Sequence, residues 1–262
     1  MKNLFKALSI VLFSTLMFSC TEDNTDDIIN GNDNASGNNN NLKKGQVEIK
    51  GYPDKDNKMS FAATATKITI DWGDGSVDEL TPNGIEMEFV HEYANQNFQT
   101  IKINTEAMTY MGSYRGTYNE LRFGDCPDLQ SIYCSSQKLT VLSIKSAPVL
   151  ESLLCSNNQL TSLNVSGCTA LIYLNCSNNQ LTAEGLNSLF DSLHNIFVPG
   201  TILPGTILPE TIPPGIVTPP VIVTPPVIGE GGRVYIGSNP GANTCDSTIA
   251  RNKGWSVLLR SA

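Results

Sequence analysis

The chain has 262 residues, of which 17 are lysine or arginine and 25 are aspartate or glutamate, so its formal net charge at pH 7 is −8. This surplus of negative charge argues against a nucleic-acid partner and against docking on an anionic membrane surface. The chain contains only two histidines, and it therefore offers few of the residues that serve most often as general bases and metal ligands.

Residues 1–19 have the pattern of a secretory signal. Lys2 and Lys6 supply a positive region, and the apolar run 7–18 is too short to span a bilayer. Cys20 follows directly, an arrangement that resembles the lipobox of bacterial lipoproteins. The resemblance implies that Cys20 is lipidated and anchors the chain to a membrane. The alternative is a cleaved signal followed by an incidental cysteine.

Residues 20–44 are predicted to form a flexible tether. They are rich in Asn, Asp and Gly, and they contain too few apolar side chains to build a core. The acidic run TEDNTDD resembles a signal for display on the outer face of some Gram-negative bacteria. This implies an outer-membrane lipoprotein at the cell surface. The alternatives are a solvated acidic linker and a position on the periplasmic face.

Residues 45–107 are predicted to form a small β-sandwich. KITIDWGDGSVDEL alternates apolar residues and then reaches Asp74-Gly75, which is typical of a hairpin turn. Together, W-G-D-G-S with Trp72 and Asp74, and H-x-Y with His91 and Tyr93, resemble the PKD domain, an immunoglobulin-like sandwich. The resemblance implies that these four residues are structural. Because the terminal repeats of a solenoid need a cap, we also expect this sandwich to close the N-terminal end of the repeats that follow.

Calcium binding is the alternative for the acidic turn of this segment. Asp71, Asp74 and Asp78 supply three carboxylates, whereas Ca²⁺ takes six to eight oxygen ligands. We therefore expect no metal site here. In PKD-like domains such residues mostly fix a turn.

Residues 108–195 repeat with a period of 21 residues, since LESLLCSNNQL is followed by LIYLNCSNNQL. A fixed period of this size indicates a solenoid. The motif L-x-x-L-x-C-x-x-N-x-L resembles the leucine-rich repeat. The resemblance implies a short strand at each L-x-C, and it implies that Asn158 and Asn179 bond backbone groups from coil to coil, with Gln137 in the preceding coil. Tyr118-x-x-Leu121-x-Phe123 fits the same phase more loosely.

Cys134, Cys155 and Cys176 recur with this period, so they are predicted to occupy one inward column. A free cysteine packs as a small apolar side chain. A column spreads the sulfur atoms along the stack, whereas zinc needs ligands that converge on one point. We therefore expect packed thiols. Disulfides between neighbours are the alternative in an oxidising compartment.

Residues between the inward positions are predicted to face outward, because side chains alternate along a strand. This gives a polar, nearly uncharged face with a few aromatic rings. A surface of this kind suits a polar partner, either protein or glycan, and the alternative is a merely solvated sheet. The candidate binding residues are Tyr133, Leu154, Tyr173, Asn175 and Tyr235.

The C-terminal part is predicted in three pieces. Helical spacing after Leu181 indicates a short helix on the convex side. Residues 196–230 hold nine of the 14 prolines, which favours an extended low-complexity insertion. Residues 231–262 resemble a final repeat, with Asn239 in its turn, and a capping helix and strand.

The predicted fold is therefore mainly β: a short leucine-rich-repeat solenoid preceded by a PKD-like sandwich, with short convex or capping helices near the C-terminus. No G-x-S-x-G, H-E-x-x-H or glycine-rich phosphate motif occurs, so we expect neither an enzyme nor a cofactor. We expect a lipid-anchored envelope protein that mediates protein–protein or adhesive binding. The alternatives are a glycan-binding component of a polysaccharide-uptake system and a scaffold without a ligand.

Overall fold

The computed structural model describes residues 41–196 and 231–260. The predicted signal, Cys20, the tether up to residue 40 and the proline-rich segment 197–230 lie outside these residues. The described strands are β1 (Gln46–Tyr52), β2 (Lys58–Thr64), β3 (Lys67–Asp71), β4 (Val77–Leu80), β5 (Glu86–Glu92), β6 (Gln99–Glu106), β7 (Tyr110–Arg115), β8 (Thr117–Asp125), β9 (Ser131–Tyr133), β10 (Val141–Ser146), β11 (Ser152–Leu154), β12 (Tyr173–Asn175), β13 (Gly232–Tyr235) and β14 (Trp255–Leu258). The helices are α1 (Ala183–Ser192) and α2 (Thr248–Arg251).

Two sheets organise the described residues. One has six strands in the order β10-β8-β1-β6-β3-β4, and the other has eight in the order β14-β13-β12-β11-β9-β7-β2-β5. Strands β1 to β6, the N-terminal module, pair antiparallel, whereas β9 and β11 to β14 pair parallel. This change from antiparallel to parallel pairing marks the passage from hairpin connections to successive coils.

The N-terminal module forms because its strands alternate buried and exposed residues. β1 and β3 each follow this period-two pattern, which places one face of the sheet in the core. Phe61 of β2 stacks on Phe89 at 5.2 Å between ring centroids and lies 6.0 Å from the ring of Trp72. The buried side chains of this module and of the later coils form one continuous hydrophobic core.

Strands β7 and β8 belong to both parts of the molecule. β7 pairs antiparallel with β2 and parallel with β9, and β8 pairs antiparallel with β1 and parallel with β10. In the second ladder Leu121 lies opposite Leu142, and Phe123 lies opposite Ile144. The loosely matching sequence unit is therefore in phase with the coil that follows it. Both sheets run without interruption from the module into the repeats.

The later strands form a β-solenoid of about five turns with a period of about 21 residues. Equivalent positions align in register, as Leu153 does with Ile132 on one side and Leu174 on the other. These three side chains are fully buried. The predicted mainly β architecture and the predicted 21-residue solenoid are confirmed.

A buried side-chain amide closes the turn of each coil. Asn158 donates through Nδ2 to the carbonyl oxygen of Cys155 in its own coil at 3.0 Å and to that of Cys134 in the preceding coil at 2.9 Å. Its Oδ1 accepts the backbone N–H of Leu139 at 3.1 Å. One amide thus satisfies backbone groups of two coils that would otherwise be buried without partners.

The same amide contact recurs along the stack. Asn179 and Asn239 bond the corresponding groups of the next two coils. In the earlier coil the Oε1 atom of Gln137 accepts the N–H of Tyr118 at 3.2 Å. The residue before each of these amides has a left-handed backbone, with φ between 54° and 59°; these residues are Ser136, Asn157, Asn178 and Ser238.

The predicted cysteine column packs as thiols. Cys134, Cys155 and Cys176 are fully buried, and every cysteine of the described residues is free. Burial raises the pKa of the Cys134 and Cys176 thiols to about 12. These side chains are therefore neutral and apolar at physiological pH, which suits an inward column.

Helix α1 follows the last leucine of the repeats. Thr182 caps it by accepting the N–H of Gly185, and Leu186, Leu189 and Phe190 bury its inner face. At its other end Lys253 donates through Nζ to the carbonyl oxygens of residues 190, 191 and 193. This places a positive charge at the negative end of the helix. Neither described helix is long and apolar enough to cross a membrane.

Residues that precede and follow segment 197–230 are in contact with the final coil. The N–H of Ile196 donates to the carbonyl oxygen of Lys253 at 2.8 Å, and Trp255 donates through Nε1 to the carbonyl oxygen of His194 at 3.0 Å. Gly232 begins β13 so close to Ile196 that a Cβ atom there would lie 2.3 Å from its Cδ1. The two ends of the segment are therefore neighbours.

We predict that Asn158→Ala lowers the free energy of unfolding by about 2–4 kcal/mol, because it leaves buried N–H and C=O groups of two coils without partners. Gln159→Ala, at the exposed adjacent position, should change it by less than about 0.5 kcal/mol. Urea denaturation followed by circular dichroism measures both values. Equal stabilities of the two variants would contradict the role given to the amide.

Candidate binding face on the eight-stranded sheet

One surface of the eight-stranded sheet carries the residues that the sequence marks for binding. Strand pairing aligns its outward positions in two columns. One column contains Tyr110, Ser131, Ser152, Tyr173 and Arg233. The other contains Gly112, Tyr133, Leu154, Asn175 and Tyr235. We call these ten residues, together with Tyr114, the tyrosine face.

The core fixes the orientation of this face. Between the two outward columns lies an inward column of almost completely buried side chains, which pack against the rest of the solenoid. Its members are Met111, Ile132, Leu153, Leu174 and Val234. Because residues alternate along a strand, burial of this column turns both neighbouring columns outward.

The predicted binding residues differ in their exposure. Tyr133 is 44% exposed, and Leu154 and Tyr173 are half-buried. Asn175 and Tyr235 lie in the expected register but are only 5% and 7% exposed. The Oδ1 atom of Asn175 accepts the N–H and the hydroxyl of Ser177 at 3.1 and 2.7 Å, so this side chain is used within its own turn.

Two tyrosines that sequence reasoning missed extend the face onto β7. The ring of Tyr110 meets that of Tyr133 edge to face, with centroids 5.4 Å apart and planes at 86°. Tyr114, which is 53% exposed, lies close enough to Tyr110 to raise the pKa of its phenol. Tyr110 precedes Ser131 by one repeat period, so the same 21-residue spacing could have identified it.

Gly112 makes room for this cluster. A Cβ atom at this position would lie 2.3 Å from the hydroxyl oxygen of Tyr110, so the phenol occupies the space above the glycine. At the other end of the face, Tyr173 and Tyr235 lie 5.4 Å apart between ring centroids, with their planes at 41°. The two most accessible repeat tyrosines, Tyr133 and Tyr173, are therefore each supported by a second ring.

The centre of the face is uncharged. The residues that β7, β9, β11 and β12 contribute to the two columns are Tyr, Ser, Leu, Asn and Gly. Burial, followed by the contact with Tyr114, raises the pKa of Tyr110, and burial and the neighbouring Tyr235 raise that of Tyr173. Both phenols therefore remain neutral at physiological pH. Charged residues flank this centre, with Arg233 on β13 and Glu86 and Glu88 on β5.

The residues of the W-G-D-G-S and H-x-Y motifs form a separate cluster. Trp72 stacks on His91, with ring centroids 4.9 Å apart and planes at 15°. The Tyr93 hydroxyl donates to the Trp72 carbonyl oxygen at 3.0 Å, and the indole N–H of Trp72 donates to the Asp78 carboxylate at 2.8 Å. Asp74 completes the cluster, since its Oδ2 lies 2.7 Å from Nε2 of His91.

The Asp74 carboxylate also accepts the hydroxyl and N–H of Ser76, at 2.6 and 3.0 Å. His91 meets both Asp74 and Ser76 through the same nitrogen, Nε2. A histidine that relays a proton needs one nitrogen for the carboxylate and the other for the hydroxyl. This arrangement instead ties strand β5 to the turn between β3 and β4.

The described residues contain a cavity, but it lies away from the tyrosine face. Within residues 41–196 and 231–260, no group of three or more His, Cys, Asp or Glu residues is placed to hold a metal ion. A cavity of about 320 Å³ lies where the N-terminal module meets the first coil, and Lys44, Glu106 and Asp128 contribute to its lining.

No protein-family model matches the chain, and searches of curated proteins and of solved structures give no match either. The geometry of the described residues is therefore the basis for assigning a function.

We predict that Asp74→Asn destabilises the N-terminal module by about 1 kcal/mol at neutral pH, because a carboxylate that accepts three hydrogen bonds becomes a neutral amide. Burial alone would raise the pKa of Asp74, but the bonds from Ser76 and His91 outweigh it and lower the pKa from 3.8 to about 2. The stabilisation is complete above the ordinary pKa and is lost as pH falls towards the folded value.

The difference in melting temperature between wild type and Asp74→Asn should therefore shrink between pH 4 and pH 2. Asp128→Asn, an exposed carboxylate outside the cluster, serves as the control. A difference that stays constant over this range would show that the charge of Asp74 is not what stabilises the turn.

Proposed function

We propose that this chain is a lipid-anchored, non-catalytic protein of the bacterial envelope that recognises a macromolecular partner through the tyrosine face. In this proposal the anchor is Cys20, the residues after it act as a tether, and the folded part stands off the membrane. The observation that carries the proposal is the uncharged aromatic surface on a chain of net charge −8. Aromatic side chains are enriched and charged ones depleted at the centres of binding surfaces.

The solenoid is best interpreted as a leucine-rich repeat. The support is one short strand per coil, together with an asparagine at the turn that bonds two coils. The N-terminal module is best interpreted as PKD-like, because Trp72, Asp74, His91 and Tyr93 form one contact cluster. In this interpretation the module closes one end of the repeats, and α1, α2 and β14 close the other.

Closed ends favour a binding role for the face. Stacked repeats need terminal elements to prevent association through their open ends. The pairing of β9 with β7 gives the first coil a neighbour at the N-terminal end. The sheet surface then remains as the extended region available to a partner, and such surfaces are the ones that repeat proteins use for recognition.

Anchoring through Cys20 predicts that Cys20→Ser moves the protein out of the membrane fraction and abolishes its labelling by palmitate in the producing bacterium. Cys245→Ser, a half-buried cysteine of the folded part, should leave both unchanged. Protease treatment of intact cells then reports whether the anchored protein faces outward. Membrane retention of the Cys20→Ser protein would overturn the anchor.

Recognition through the tyrosine face predicts that Tyr133→Ala combined with Tyr173→Ala weakens binding without unfolding the protein. The probes are immobilised extracellular-matrix proteins and neutral and acidic polysaccharides, measured by surface plasmon resonance with circular dichroism as the folding check. Tyr52→Ala is the control, because Tyr52 lies on β1 in the six-stranded sheet, is 46% exposed and packs on Phe98.

The binding results distinguish recognition through the tyrosine face from recognition elsewhere on the molecule and from a scaffold without a ligand. A probe that binds wild type and the Tyr52→Ala variant equally, but binds the double variant at least fivefold more weakly, supports the face. Equal binding by the double variant would place recognition elsewhere. Absence of binding to every probe would favour a scaffold or spacer without a ligand.

A further inference from the structure

The tyrosine face has the layout of a shallow platform. Tyr133 lies on β9 and Tyr173 on β12, with β11 between them. At about 4.8 Å per strand and about 3.3 Å per residue, these two tyrosines lie about 9.6 Å apart across the sheet and about 6.6 Å apart along it, because they occupy different columns. The outward residues of β11 are Ser152 and Leu154. Because these side chains are shorter than tyrosine, they form a shallow floor between the two rings.

Most of the chain's tyrosines are concentrated on this surface. Of eight tyrosines in the sequence, five belong to the face, and Tyr93 and Tyr118 are buried in the core. Tyr110 meets Tyr133 at one end of the face, with Tyr114 beside it, and Tyr173 meets Tyr235 at the other end. The five rings therefore form two groups, one on β7 and β9 and the other on β12 and β13, with β11 between them.

The rings are held before any ligand arrives. Tyr110 supports Tyr133 edge to face, and Tyr235 packs against Tyr173. A tyrosine that is already fixed loses little conformational freedom on binding. Rigid aromatic rings separated by the half-buried Ser152 and Leu154 suit a ligand that is itself flat, extended and only weakly apolar.

The polar groups of the platform are hydroxyls. Ser131 and Ser152 are half-buried in the outward column, and the hydroxyl of Ser156 donates to that of Ser135 at 3.1 Å beside them. No charged side chain lies in the two aligned columns on β7, β9, β11 or β12, and the exposed Arg115 at the end of β7 pairs with Asp54 and Asp56. A sugar ring presents C–H bonds on its faces and hydroxyl groups at its edges, so it complements both the phenol rings and the serines.

We propose that the tyrosine face binds a neutral, extended polysaccharide, with sugar rings stacked on Tyr133 and Tyr173 across the Ser152–Leu154 floor. This inference rests on the proposed function, and it names the ligand class of the same face. A protein partner is less well matched, because Leu154 is the sole aliphatic residue at the outward positions of these four strands. An acidic polysaccharide is disfavoured by the net charge of −8 and by Glu86 and Glu88 on β5, which β2 separates from β7.

The test is electrophoresis of the folded protein in native gels that contain a neutral polysaccharide, either a soluble β-glucan, a galactomannan or soluble starch. Wild-type protein and Tyr52→Ala should be retarded by at least one of these. Tyr133→Ala and Tyr173→Ala should each weaken the interaction roughly five- to tenfold, whereas Tyr173→Phe should retain it because stacking needs the ring rather than the hydroxyl.

Gly112→Ala supplies a second variant that leaves both stacking tyrosines in place. The added methyl group must displace the flexible phenol of Tyr110 and so remove the support of Tyr133. We expect an unchanged melting temperature and two- to fivefold weaker retardation. This range corresponds to the binding free energy that one aromatic contact contributes. Retardation that none of these substitutions alters would overturn the platform.

The same variants distinguish failure of this inference from failure of the proposed function. No retardation by any neutral polysaccharide, together with Tyr133-dependent binding to a protein or to an acidic polysaccharide, would overturn the glycan assignment and leave the face as a recognition surface. No face-dependent binding to any probe would overturn both.

Discussion

The solenoid depends on how its turns satisfy buried backbone groups. Each coil reverses direction beside the core, where N–H and C=O groups cannot reach water and would each cost about 1–3 kcal/mol if left without partners. The amide of Asn158 has both donor and acceptor capacity, and it bonds its own coil and the preceding one. Asn179 and Asn239 repeat this contact. The same side-chain amide therefore closes the turn of its own coil and holds that coil against the preceding one.

The continuous sheets give this stack a fixed starting point. β7 and β8 are long enough to complete antiparallel ladders with the N-terminal module and still pair parallel with the first coil. The module therefore supplies a preformed edge, and the coils need not nucleate on their own. The same arrangement extends the tyrosine face, because the outward positions of β7 continue the columns of β9, β11 and β12.

The repeat region was predictable because its information is local and periodic. A 21-residue spacing places Leu153 and Leu174 inward and Tyr133 and Tyr173 outward without knowledge of any distant contact. The sequence pattern did not predict features that depend on contacts between segments far apart in the chain. Tyr114 lies where the pairing of β7 with β2 changes register, and β2 lies about fifty residues earlier in the chain. Likewise, the low exposure of Asn175 and Tyr235 depends on neighbours that the alternation of a single strand does not specify.

Because the residues on either side of segment 197–230 are neighbours in the fold, the length of this segment can change during evolution. Ile196 and Gly232 are held side by side by the final coil, through the backbone bond from Ile196 to Lys253. For a segment whose ends are already fixed together, doubling its length costs only about 0.6 kcal/mol of closure entropy. Copies of a short proline-containing unit can therefore be gained or lost between these points while the solenoid on either side keeps its register.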